Sequence, residues 1–425
     1  MCMLGLKYRI YPSGVQQQKL IISLRLSKEL YNHLLDFCKT SYRDVKENGG
    51  KFSPSEFTMN YEVTRFKKEH PEYGVVWGHT LQGVSKKLGG AYSSFFRRVR
   101  EKKTGKNVKA GFPRFKKKIY SLLYPDAYGI GYKFESNKIL NVSKIGRIPI
   151  KLDRAPKGNI KTMVISKDGN RWYASFSTDH NKVMDKISKN RTPIGVDMGV
   201  KTFAALSDGT LVENPKFYKQ AQKKIRKLQR RLSRKVKGSH NRKKAGMKLW
   251  QAHQRVQDLR LDFIHKVTTD LVRNHDIIAV ENLKIGNMLH NHNLAGSISD
   301  SGWGIFKTYL DYKAESAGSQ VIYVEPQNTT QTCSCCNLVL EEKLKLDKRV
   351  FKCPSCGHEE DRDVNAAKNI LSKALVSANK SRKAKSTTGR VGSYACRETT
   401  SIPKEIMNSE QVVSLKQELY GGEYT

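Results

Sequence analysis

Two cysteine pairs, Cys333-Ser-Cys-Cys336 and Cys353-Pro-Ser-Cys356, with Asp361-Arg-Asp363 close behind, constrain this chain more than any other stretch. A C-x2-C pair lets two thiolates reach one ion from a tight knuckle, and two knuckles close a tetrahedral site. Sixteen residues separate the pairs, which is zinc-ribbon spacing. The expected Zn2+ ligands are Cys333, Cys336, Cys353 and Cys356. Cys335 is an alternative inside the first knuckle, but Cys336 keeps the two-residue spacing. Gly357 supplies the turn that the second knuckle needs. A ribbon of this kind is a structural staple and does not choose between catalysis and binding.

The surrounding chain narrows that choice. Among 425 residues, 78 Lys and Arg face 39 Asp and Glu, a formal charge of +39. Such an excess repels itself in a compact fold unless a polyanion neutralises it. Nucleic acid is the natural partner, because Lys and Arg bind phosphates and release counterions. No segment approaches the roughly 20 apolar residues that span a bilayer, so no membrane role is expected. The start, Met1-Cys-Met-Leu-Gly-Leu-Lys-Tyr-Arg9, is too short in its apolar run for a secretory signal. A cytoplasmic protein with reduced thiols is expected. Five of the eight cysteines lie between 333 and 356, which argues for metal over disulfides. Cys2, Cys38 and Cys396 are isolated and read as inert thiols.

Length predicts two or three domains. Leu6 to Tyr11 alternates apolar and polar residues and stops at Pro12, as a strand does. Residues 15–45 (Leu20, Leu24, Leu30, Leu34, Phe37) and 79–102 (Leu81, Val84, Leu88, Tyr92, Phe95, Val99) have helical spacing, and the stretch between them reads as connectors. Gly111-Phe-Pro-Arg-Phe-Lys-Lys-Lys118 interleaves rings with cations, so Arg114, Lys116 and Lys117 are candidate phosphate contacts beside rings that could stack on bases. The plainer reading is a basic loop over two buried rings. From 119 to 180 short strands return, among them 148–152, 159–165 and 172–176, with a turn at Lys167-Asp-Gly-Asn170. Thr192 to Val212 reads as strand, strand, turn, strand. A lysine-rich helical region follows, interrupted at Lys237-Gly-Ser-His-Asn241. Its second half places Leu249, Ala252, Val256, Leu259, Phe263 and Val267 on one face and Arg255, Arg260 and Lys266 on the other, where phosphate binding is expected. Ile277-Ile-Ala-Val280 is a buried strand. Beyond about Ser377 the composition is that of a disordered tail.

Three acids stand at informative places. Asp197 lies within the apolar run Ile194-Gly-Val-Asp-Met-Gly-Val200, Glu281 ends the strand from Ile277, and Asp363 opens a helical pattern. Singly, each reads as an N-cap, a turn residue or a surface acid. Together they could converge at one end of a sheet and hold two Mg2+ ions, which favour oxygen ligands and catalyse phosphodiester cleavage when paired.

The segments Gly195-Val-Asp-Met-Gly-Val-Lys201, Ile278-Ala-Val-Glu-Asn-Leu283 and Asp361-Arg-Asp-Val-Asn-Ala-Ala367, with the ribbon before the last, resemble the TnpB family. These are transposon-encoded, RNA-guided DNA endonucleases related to the type V CRISPR effectors. The resemblance runs along nearly the whole chain through Tyr11-Pro12, Gly111-Phe-Pro-Arg-Phe115, Lys237-Gly-Ser239, Phe263-Ile-His-Lys266 and Ser297-Ile-Ser-Asp-Ser-Gly-Trp303. It implies a multidomain α/β protein. A wedge β-barrel (1–12 and 118–185) would carry a helical recognition module (13–117). An RNase H-like RuvC nuclease (186–328 and 360–376) would carry the zinc ribbon (329–359), and 377–425 would be the tail. Motif position implies Mg2+ binding by Asp197, Glu281 and Asp363. The family's acid precedes x-Asn-Ala-Ala, which selects Asp363 over Asp361. Gln82 matches a position for reading the target-adjacent motif. The implied partners are a guide RNA from the transposon end and a double-stranded DNA target on the nucleoid, with sequence read by base pairing. A silent RNA-guided repressor and a strand-joining transposase are the alternatives. Repressor relatives lack these acids, and all three are present here.

Overall fold

The computed structural model describes residues 2–50, 54–156, 158–180, 190–342, 344 and 348–385. Residues 1–181 and 182–425 form two compact units. The boundary expected at 185/186 falls outside the described residues, as do residues 386–425 of the expected tail.

In the first unit, strand β1 (Cys2–Ile10) is followed by helices α1 (Gly14–Glu47), α2 (Glu56–Glu69) and α3 (Gly78–Lys103). Strands β2 (Ser121–Pro125), β3 (Tyr132–Ser136), β4 (Ile139–Val142), β5 (Gly146–Lys151), β6 (Asn159–Asp168) and β7 (Arg171–His180) follow. Pro12 ends β1 and Ser13 starts α1: its hydroxyl accepts from the Gln16 amide while Gln16 Oε1 accepts from the Ser13 amide, a reciprocal cap. The seven strands run in the order β2-β6-β7-β1-β5-β4-β3. Strands from both sides of the helical segment therefore share one sheet. It curls until rings on its two edges meet, Tyr124 of β2 against Tyr132 of β3 with centroids 6.2 Å apart. Its inner face forms one apolar core around Trp172, Phe176 and Ile148. The edges are not hydrogen-bonded among the described residues, so this is a half-barrel where a barrel is expected.

Helix α2 occupies a stretch expected to be connector. Met59, Glu62 and Val63 are buried and Phe66 packs against the same core, while Phe57 is 86% and Tyr61 76% exposed. The outward Phe57 and Tyr61 interleave with the inward Met59, Val63 and Phe66 and blur their helical period.

The second unit is built on strands β8 (Ile194–Met198), β9 (Thr202–Leu206), β10 (Leu211–Glu213), β11 (Ile277–Glu281) and β12 (Gln320–Val324). Their order is β10-β9-β8-β11-β12. The first three are antiparallel, and β8, β11 and β12 are parallel. Helices α4 (Phe217–Ser233) and α5 (His240–Asn274) connect β10 to β11. Helices α6 (Ile285–Met288), α7 (His292–Ser301) and α8 (Trp303–Ala317) connect β11 to β12. Gly238, with φ of 84°, makes the turn after α4, and Ser239 caps α5 by accepting from the Arg242 amide, which explains the break in the lysine-rich region. After β12 come a small hairpin, β13 (Val350–Lys352) with β14 (Glu359–Asp361), and helix α9 (Arg362–Lys385), which runs past 377 and returns to pack on β8 and β11.

Two expectations for α5 need correction. Arg260 is not a free phosphate contact: it pairs with Asp300 at 2.7 Å, and both are largely buried. Asp300 also accepts from the Tyr218 and Lys219 amides at the start of α4, so the pair locks α4, α5 and α7 together. Leu259 is 39% exposed and lies off the buried face. Lys266 pairs with Asp262 at 2.8 Å on the surface, and Arg255 is exposed.

Candidate active site

Asp197 and Glu281 become neighbours through strand pairing. Val196 of β8 aligns with Val280 of β11, so the next residue on each parallel strand is an acid at the carboxyl end of the sheet. Helix α9 brings the third acid. Gly195 makes its approach possible, because a Cβ there would stand 2.0 Å from the Ala367 carbonyl oxygen of α9. Side chains alternate along a strand, so Asp197 shares the face on which Gly195 receives the helix. Asp363 lies one turn before Ala367, on the same side of α9.

The electrostatics register this convergence. Burial pushes the Asp197 carboxyl up to about 8, and the nearby Glu281 and Asp363 push in the same direction against the Arg362 cation and a Met198 backbone hydrogen bond. Burial also raises Asp363, with Asp361 adding to it and Arg349, Arg362 and Lys201 opposing. Glu281 is buried, and its Oε1 accepts a 2.5 Å hydrogen bond from the Thr329 hydroxyl. Buried acids that repel one another are disfavoured as anions, and a hard divalent cation relieves that cost through oxygen ligands. The donor set therefore fits Mg2+.

Asp361 does something different. Its carboxylate accepts from the Asp363 and Val364 amides at 2.9 and 3.2 Å and so caps α9. The two acids of the Asp-Arg-Asp motif thus have separate geometries, one holding the helix end and the other on the face towards Asp197.

The thiols of Cys333, Cys336, Cys353 and Cys356 lie within 4.8 Å of one another, the one such group among the described residues. The carboxylates are more loosely gathered. Cys333 and Cys356 sulfurs stand 3.7 Å apart and those of Cys336 and Cys353 3.6 Å. A tetrahedral zinc with bonds of about 2.3 Å sets its sulfurs about 3.8 Å apart, whereas a disulfide needs about 2.05 Å. The cluster could hold zinc, and Cys335, which is exposed, stands outside it. The apolar support is small: Cys333, Phe351 and Cys353 with Leu340 and Leu344. Of the isolated cysteines, Cys38 is buried and its thiol is pushed up to about 11 by that burial, which makes it inert. Cys396 lies outside the described residues.

In the first unit, Gln82 is exposed near the start of α3. Arg114, Lys116 and Lys117 are exposed on the loop after it. The loop's rings are not buried: Phe112 and Phe115 are exposed. Lys39 of α1 stands 4.2 Å over Phe115, and Asn32 exchanges two hydrogen bonds with the Lys116 backbone. The loop is thus pinned to α1, where the Lys116 ammonium lies 5.2 Å over the Tyr31 ring.

Residues 175–292 match the OrfB_IS605 family, described as "Probable transposase", and residues 303–370 match the Cas12f1-like TNB domain. Over 389 residues the chain is 30% identical to the "Putative RNA-guided DNA endonuclease InsQ" of Escherichia coli strain K12, covering 86% of this chain and 90% of that protein. The chain belongs to the TnpB family. It is also 29% identical over 378 residues to a "Putative RNA-guided DNA endonuclease" of Streptomyces pristinaespiralis, covering 88% of this chain and 89% of that one. Its fold is similar to the protein in the cryo-EM structure of the Cas12f1-sgRNA-target DNA complex, with a TM-score of 0.53 at 13% identity, over 87% of this chain and 98% of that chain.

In this TnpB-family chain, several residues around the acids carried no sequence signal. Arg349 approaches Asp363 at 3.4 Å from the loop before β13. Lys307 of α8 stands close enough to Glu281 to interact electrostatically. Thr329 precedes the first knuckle. Each comes from a different segment, so no spacing links it to the acids. The cation-rich helix α4 also emerges as a surface: seven of its residues are Lys or Arg and none is acidic, while Ile225 and Leu232 pack against Leu249 and Val256 of α5.

Proposed function

We propose that the chain is an RNA-guided DNA endonuclease of a transposon that hydrolyses target DNA with Mg2+ held by Asp197, Glu281 and Asp363, next to a short target-adjacent motif. The observation that carries this reading is the meeting of three acids from β8, β11 and α9 at the carboxyl end of a mixed sheet. Three antiparallel strands followed by two parallel ones, with a final helix returning over the first strand, support an RNase H-like, RuvC-type domain. The relatives' names and the fold shared with a guide-RNA and target-DNA complex support the partners.

When bound, Mg2+ activates water and neutralises the leaving oxygen. The chain's own task is to hold the carboxylates and the DNA strand in register. The bond broken is a P–O ester bond, and the bond formed joins phosphorus to the oxygen of water. Arg349, Arg362 and Lys201 offset the repulsion between the acids and the phosphate backbone. Zn2+ held by Cys333, Cys336, Cys353 and Cys356 braces the ribbon between β12 and α9 and takes no part in the bond change. The curled sheet (1–12 with 118–180) and the helices (13–117) of the first unit take the roles of wedge and recognition module. There Gln82, Arg114, Lys116 and Lys117 contact nucleic acid.

The test is cleavage of double-stranded DNA matching the RNA that copurifies with the protein, in Mg2+. Cleavage by the parent protein and its loss in Asp197→Ala, Glu281→Ala and Asp363→Ala are expected. Asp361→Ala should keep cleavage within about tenfold while losing about 1 kcal/mol of stability, the cost of a lost N-cap. Guide-dependent binding without cleavage by the parent would overturn the nuclease reading in favour of a repressor.

A further inference from the structure

Glu281 ends its strand, and nothing in a strand end dictates where its three-torsion side chain points. A carboxylate that binds metal must nevertheless be aimed, since ligands left to rotate bind weakly. The neighbouring residues show how it is held. The Thr329 hydroxyl donates to Glu281 Oε1 at 2.5 Å, and both residues are buried. One carboxylate oxygen is thereby fixed.

Thr329 is itself held from behind. Asn369 of α9 donates through Nδ2 to the carbonyls of Thr329 at 2.9 Å and Thr332 at 2.7 Å. One turn earlier, Asn365 donates to the Thr332 carbonyl at 2.8 Å and accepts from the Ser334 amide at 2.9 Å. Both asparagines are buried. Buried side-chain amides bonded to backbone in this way fix position more than they add stability. The gripped segment runs directly into the thiol cluster at Cys333, and the gripping helix also carries Asp363.

We infer that Thr329 is a positioning residue for Glu281. Its hydroxyl sets the carboxylate's orientation towards the metal, and the Asn365–Asn369 clamp and the first knuckle hold the hydroxyl in place. It touches neither substrate nor metal. The inference rests on the reading of Glu281 as a Mg2+ ligand.

Three variants of the full-length, zinc-loaded protein separate the possibilities. Thr329→Val keeps the shape and removes the hydroxyl, Thr329→Ser keeps the hydroxyl and removes the methyl, and Thr329→Ala removes both. Mn2+ binding followed by EPR is the first readout, and the Mg2+ dependence of guide-directed cleavage is the second. Losses of outer hydrogen bonds to metal ligands run to about 10–100-fold in affinity. Val and Ala should therefore weaken Mn2+ binding and raise the Mg2+ requirement by about tenfold or more, while Ser stays within about threefold of the parent. Unchanged Mn2+ affinity in both Val and Ala, whatever their melting temperatures, would overturn the inference. So would a Ser variant as impaired as Val, since that would make the methyl's packing the cause. Glu281→Gln is measured alongside: if it binds Mn2+ like the parent, it is the ligand reading of Glu281 that has failed.

Discussion

Asp197 shows what one residue gives up for a site. With its carboxyl raised from an ordinary 3.8 to about 8, the folded chain holds a proton there that the unfolded chain releases. That contribution to stability is present in full below pH 3.8 and is lost as pH rises through about 8. In Mg2+-free buffer, the melting temperature should fall across this window more steeply in the parent than in Asp197→Asn. The variant should melt higher than the parent at pH 8 and cleave no DNA, a stability–function exchange of a familiar kind. Melting curves at several pH values check this, and parallel slopes for the two proteins would refute it. Gly195 has the complementary role. Alanine there meets the Ala367 carbonyl oxygen at 2.0 Å, so α9 must move. Such overpacking costs about 1–3 kcal/mol. A shift of about 1 Å at a reacting group lowers rates about 100-fold. Single-turnover cleavage and urea unfolding of Gly195→Ala measure the two effects. Wild-type rates would mean that the close approach does not position Asp363.

Among the elements, the ribbon depends most on something other than packing. Its core is a few side chains around Phe351, too small to order a loop of this length without help. One zinc per chain is expected by elemental analysis. Cys335→Ser should leave that ratio unchanged, whereas Cys353→Ser should lower it and loosen residues 328–334, with hydrogen exchange there as the readout. Retention of zinc by Cys353→Ser together with its loss in Cys335→Ser would reverse the ligand assignment. Helix α9 links the ribbon to the sheet, because Asp361 caps it, Asp363 faces Asp197, and Asn365 and Asn369 grip the knuckle's approach. The ribbon is therefore more than a staple beside α9. Through Thr329 and Arg349 it reaches two of the three acids.

Across the chain, a charge of +39 makes association with nucleic acid an electrolyte problem. Neutralising six or more phosphates lowers affinity about 1,000-fold between 50 and 200 mM salt. A polarisation titration of the copurifying RNA should show that slope, and a salt-independent affinity would exclude phosphate contact as the main source of binding. Charge reversal on α4, for example Lys223→Glu with Lys227→Glu, should flatten the slope without unfolding the protein, since the buried side of that helix is Ile225 and Leu232.

Local chemistry was readable in advance wherever it repeats over a short distance. Knuckle spacing named the four thiols, and helical period named α1, α3 and α5. Apolar runs carrying an acid named β8 and β11 and marked Asp197 and Glu281, because burying an acid demands a partner. Such signals need only neighbours in the chain. The rest depends on contacts between distant segments. Convergence of Asp197, Glu281 and Asp363 requires the β8–β11 register and the opening that Gly195 leaves for α9. The same holds for Arg260, which reads as a surface cation until Asp300 arrives from 40 residues away. Phe57 and Tyr61 hid α2 by facing out, and Thr329 became meaningful only beside Glu281. Periodicity, charge and ligand spacing are short-range properties written into the order of residues. Partner identity across a sheet is set by packing, which no short window of sequence contains.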